Sequence, residues 1–136
     1  MFIHTLQFMK IVWIFGNEDL AGDNLPLELL PELQKRLPGV SFVVKDPNDE
    51  WDGFPDPFII LDTVQGIKEV TVFTDLNQFQ STPRVTVHDF DLGMKLKWLQ
   101  KLKKLPPFVI VGVPQQTNDA RAFIKQILLA LNPFIS

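Results

Sequence analysis

The chain predicts an α/β domain, a three-layer sandwich whose mainly parallel, twisted sheet of about five strands carries helices on both faces. Three observations lead there. Short β-rich runs such as KIVWIF and FVIVGV are almost wholly apolar, as in strands buried on both faces. Stretches with leucines at helical spacing alternate with them. At 136 residues the chain has one domain's worth of length and no cysteine to staple it, so residues 1–136 read as a single unit around one sheet.

Residues 10–15 form the first strand and end at Gly16-Asn17, a turn. From Asn24, a plausible N-cap, Leu25, Leu29, Leu30, Leu33 and Leu37 mark a helix that stops at Pro38-Gly39. Pro31 must kink this helix or begin its regular part. Residues 40–45, VSFVVK, are the second strand. Residues 46–57, DPNDEWDGFPDP, read as an acidic, solvated loop. A calcium loop is excluded there, because counting from Asp46 puts Trp51 where glycine is needed and Pro57 where a bidentate Glu is needed.

Residues 58–61 are a third buried strand with Asp62 at its C-terminal end. Residues 69–74 are strand-like, and 84–87 add a short extended piece. His88-Asp89 then opens a helix with Leu92, Leu96, Leu99 and Leu102 as its apolar stripe. Its lysines, Lys95, Lys97, Lys101, Lys103 and Lys104, crowd the C-terminal end, where cations suit the helix dipole. Pro106-Pro107 ends it. Residues 108–113 are the last strand, and Ala120, Phe123, Ile124, Ile127, Leu128 and Leu131 line one face of a final helix.

Composition removes several functions. A hydrophobic share of 46% with 12 Phe and 3 Trp belongs to a folding chain. With no Cys there is no thiolate nucleophile, zinc ribbon or iron–sulfur ligation, and a cytoplasmic location is expected. A net charge of −3 disfavours nucleic acid. No apolar run reaches the roughly 20 residues that span a bilayer, so no membrane insertion is expected. Lys10 interrupts the apolar opening MFIHTLQFMKIVWIF and no small-residue cleavage site follows, against a signal peptide. Residues 1–8 read as a peripheral extension, with Met9 an alternative start. Two His, three Ser and no G-x-S-x-G elbow leave few ways to build a serine triad.

In an open α/β sheet ligands bind outside the C-terminal strand ends, where the winding reverses. With strand order 2-1-3, Asp23 after the first strand and Asp62 after the third flank one crevice, and His88 can close over it. Two carboxylates and an imidazole suit nickel, zinc or non-haem iron, and can equally activate water. Each residue has a plainer role: Asp23 as a helix cap, Asp62 as an Asx turn, His88 as a helix-start residue bonded to backbone. A phosphate loop between Gly16 and Gly22 lacks the glycine spacing, and Glu18, Asp19 and Asp23 would repel the anion.

Four segments carry a resemblance: GNEDLAGDN at 16–24, IILD at 59–62, HDFDLG at 88–93 and VGVPQ at 111–115. In order and approximate spacing they resemble the maturation endopeptidases of nickel-iron hydrogenases, over about residues 10 to 115. The sandwich expected is phosphorylase/hydrolase-like or flavodoxin-like. The resemblance implies that Asp23, Asp62 and His88 contact nickel carried by the substrate, the precursor of the hydrogenase large subunit. From that precursor such an enzyme, here expected to be a monomer, removes a C-terminal peptide and holds no permanent metal of its own. Ile14, Gly22-Asp23-Asn24, Asp46-Pro47-Asn48 and Gln115 depart from the family's usual residues, which keeps a non-catalytic hydrogenase-assembly binder as the alternative. A flavodoxin-like module for a small anion or nucleotide is a third reading, opposed by the acidic first loop.

Overall fold

The structure, a computed structural model, describes residues 10–16, 25–80, 86–87, 90–115 and 121–136. Its strands are β1 (Lys10–Ile14), β2 (Val40–Val44), β3 (Phe58–Gln65), β4 (Thr71–Phe73), β5 (Thr86–Val87) and β6 (Phe108–Pro114). Its helices are α1 (Leu25–Arg36), α2 (Asn77–Gln80), α3 (Phe90–Lys101) and α4 (Ala122–Ile135). The sheet order is β2-β1-β3-β6-β4, with β5 paired to β3 off this path. The β1–β2, β1–β3 and β3–β6 pairs are parallel, whereas β4 on β6 and β5 on β3 are antiparallel. The expected α/β sandwich with a mainly parallel sheet is what the chain forms, and its order contains the 2-1-3 arrangement on which a crevice between the first and third strands depends.

Alternation along β3 divides the core into two halves. Ile59 and Leu61 pack with Val12, Ile14, Val111 and Val113 beneath α1 and α4, which contribute Leu25, Leu29, Leu33, Phe123, Ile127 and Leu131. Phe58, Ile60 and Val64 face the other way with Trp13, Phe15 and Ile110, under Leu92 and Leu96 of α3. Strands covered on both faces have no polar side to show, which is why β6 is buried at every position.

Several elements differ from their sequence reading. β3 continues to Gln65, so Asp62 lies within the strand and does not cap it; neither a strand-end carboxylate nor an Asx turn describes it. The extra length comes from β6 on one edge, paired as far as Val64–Pro114, and from β5. Pro31 does not begin the helix: α1 is already helical from Leu25 and continues past the proline, which has no N–H to give the Leu27 carbonyl. On the exposed side of α1, Arg36 Nε donates to Glu32 Oε2 at 2.9 Å and holds that carboxyl below its ordinary range.

Residues 46–57 are more than a solvated loop. Trp51 and Phe54 fold onto the sheet, with Trp51 edge-on to Trp13 at 5.1 Å and Phe54 5.0 Å from Phe58. The five carboxylates of the loop stay exposed around this aromatic plug. Leu102 leaves the predicted apolar stripe and is exposed; it follows the last residue of α3, and its N–H still donates to the Trp98 carbonyl at 3.0 Å, one helical turn back. The predicted cap Asn24 and the extension 1–8 lie outside the described residues. Among the described residues no helix is long and apolar enough to cross a membrane.

Candidate functional site

Asp62 and Thr63 are the buried polar residues of the described core, 2% and 1% exposed. Their place follows from how β3 changes partners. On one edge β1 runs parallel to it as far as Ile14–Leu61, and Phe15 N donates to the Leu61 carbonyl at 3.0 Å. β6 fills the opposite edge up to Val64, so β5, which pairs Val64 with Val87, takes the edge that β1 has left. Over Asp62 and Thr63, therefore, one strand has departed and the next has just arrived. Alternation sends the Asp62 side chain toward the α3 face with Ile60 and Val64, and Thr63 toward the face of α1 and α4.

The same junction fixes where the other two sequence-predicted residues leave the described chain. Gly16, the last described residue after β1, precedes the segment 17–24 that contains Asp23. Val87 is the end of β5 nearer Asp62, since β5 runs antiparallel to β3, and His88 is the next residue in sequence. Asp23 and His88 themselves lie outside the described residues, as do Glu18 and Asp19. Of the predicted set the structure places Asp62 alone. Among the described residues no three His, Asp or Glu side chains gather in a way that could hold a metal ion.

Two features near Asp62 escaped the sequence reading. Thr63 is one; a second buried polar residue beside the first is visible in LDTV only once the strand is known to continue. Gly112 is the other. It sits directly across from Asp62 in the β3–β6 register, and a Cβ there would lie 2.6 Å from Val64 Cγ2. A lone glycine in the run FVIVGV was the available signal, since glycine inside a strand marks a close approach.

A cleft of about 550 Å³ opens elsewhere, beside Phe54, Asp56, Lys103 and Pro106. It adjoins the starts of β3 and β6, at the opposite end of the sheet from Asp62. The chemistry expected of this fold belongs at the C-terminal strand ends. Asp62 lies inside β3 but just past the last pair with β1, and a carboxylate bordered by that changeover of strands can accept hydrogen bonds, orient a water or ligate a cation. Compared with known protein families, with curated proteins and with solved structures, the chain matches none.

Proposed function

We propose that the chain is an endopeptidase that matures a nickel-iron hydrogenase, removing the C-terminal peptide of the large-subunit precursor after nickel insertion. The observation that carries this reading is Asp62: a carboxylate buried inside the central strand, where β1 ends and β5 begins. A carboxylate is costly to bury, so one set inside a core strand is an uncommon choice of residue. Gly16 and Val87, from which the chain continues toward Asp23 and His88, border the same junction. The four motif segments support the same assignment.

In this reading Asp23, Asp62 and His88 receive the nickel that the precursor brings, so the metal is part of the substrate and marks it as ready for cleavage. The enzyme's task is positioning: it holds the scissile peptide beside the metal, where a carboxylate can orient and deprotonate the attacking water. The work takes place in the cytoplasm, on a single protein partner.

Incubating the purified chain with nickel-loaded precursor tests this. The large subunit is expected to lose the mass of its C-terminal peptide, and Asp23→Asn or Asp62→Asn to abolish that loss while leaving the circular dichroism spectrum unchanged. Normal processing by both variants would overturn the site. A stable complex without cleavage would replace the protease with the binding relative, for which Gln115 and Gly22-Asp23-Asn24 speak.

A further inference from the structure

Helix α3 buries Leu92 and Leu96 against the sheet, and its opposite side is apolar too. Met94, Trp98 and Leu102 stand 52%, 62% and 44% exposed. A spacing of four residues aligns them in one row about 12 Å long at 1.5 Å per residue. Single exposed apolar residues are ordinary on a protein surface, whereas a contiguous row of three centred on tryptophan is the kind of surface that contact with a partner covers.

The rims of the row differ. Lys95 lies about 60° to one side of Trp98 around the helix, and Lys101 and Lys97 about 60° and 100° to the other. Lys95 is engaged within the molecule: its ammonium donates to the Asp49 carbonyl and sits 4.2 Å from the centre of the Trp51 ring. That rim is closed by the loop 46–57. Lys97 and Lys101, on the other rim, are exposed. From Met94 to Lys104 there are five lysines and no acid, in a chain whose net charge is −3. Three of the five, Lys95, Lys97 and Lys101, lie within α3, whose acid, Asp91, is in its first turn; Lys103 and Lys104 follow its end.

We infer that the outer face of α3 is a docking surface for an acidic, amphipathic helical segment of another protein. The partner lays apolar side chains along Met94, Trp98 and Leu102 and sets carboxylates against Lys97 and Lys101. Trp98, central and broad, is the anchor, as tryptophans are at protein interfaces. An anionic membrane fits less well. A surface wide enough to meet these lysines would also meet the exposed carboxylates of Asp46, Asp49, Glu50, Asp52 and Asp56 on the adjoining loop. A second copy of the chain would bring lysine rim against lysine rim.

The test uses the full chain and two synthetic amphipathic helices with the same leucine spacing, one carrying glutamates on its polar positions and the other lysines. Binding is read by fluorescence anisotropy of the labelled peptides. The glutamate peptide is expected to bind at least about tenfold more tightly than the lysine peptide, and Trp98→Ala to weaken it by at least about tenfold. Charge reversal by Lys97→Glu with Lys101→Glu should invert the preference. Leu129→Ala, which removes an exposed leucine on α4, should change nothing. Equal binding of both peptides, or of neither, overturns the inference. So does co-sedimentation with phosphatidylserine vesicles, or a dimer in analytical ultracentrifugation, that Trp98→Ala abolishes; either would give the face to a different occupant.

Discussion

A methyl group on Gly112 would stand 2.6 Å from Val64 Cγ2 and 3.1 Å from Phe73 Cε2, well inside ordinary contact distance. The glycine lets β3 and β4 close over β6 opposite Asp62, so the site's backbone is held by side chains from two other strands. Gly112→Ala is therefore expected to destabilise the fold by about 1–3 kcal/mol, measured by urea unfolding. Adding Val64→Ala should return part of that loss, because the two positions share one volume. The glycine was conspicuous in the sequence, but its reason was not. Val64 and Phe73 are distant in the chain, and no spacing rule links them to residue 112. Asp62 is similar: its carboxylate at the end of IILD was legible, whereas its burial inside a longer strand depended on β5 and β6 arriving alongside.

Helix α3 ends by a device that its lysine-rich sequence disguises. Lys104 N donates to the Leu99 carbonyl at 2.9 Å and Lys103 N to the Gln100 carbonyl at 3.0 Å, the paired bonds of a Schellman turn. Lys103, at φ 59°, occupies the left-handed position that glycine takes most cheaply. Lys103→Gly should raise stability by about 0.5–1 kcal/mol, read as a higher urea midpoint with unchanged helix content; a lower midpoint would mean that the lysine side chain matters more than the backbone strain. The loop 46–57 teaches the converse. Its acids and prolines describe its surface, while two aromatic rings decide its position. Each large ring can bury roughly 150–250 Å², enough for Trp51 and Phe54 to cover sheet that a helix would otherwise cover.

Across the whole molecule, protection from solvent should follow the layers. β1, β3 and β6 are central and covered on both faces; β2 is an edge strand, half-exposed over most of its length. Amide hydrogen exchange is expected to be slowest in β3 and β6, which share the longest ladder, and markedly faster in β2. Equal protection in β2 would show that its outer edge is covered in solution. Helix against strand and, from their alternation, a mainly parallel sheet were legible in the residues, because apolar period and turn chemistry act over a few neighbouring positions; the order of the strands was not, since it depends on pairing between distant segments. Strand lengths, the antiparallel β4 and β5, the aromatic plug and the burial of Asp62 were settled only in three dimensions. Each depends on contacts between segments far apart in the chain, and those contacts leave no periodic trace in either segment alone.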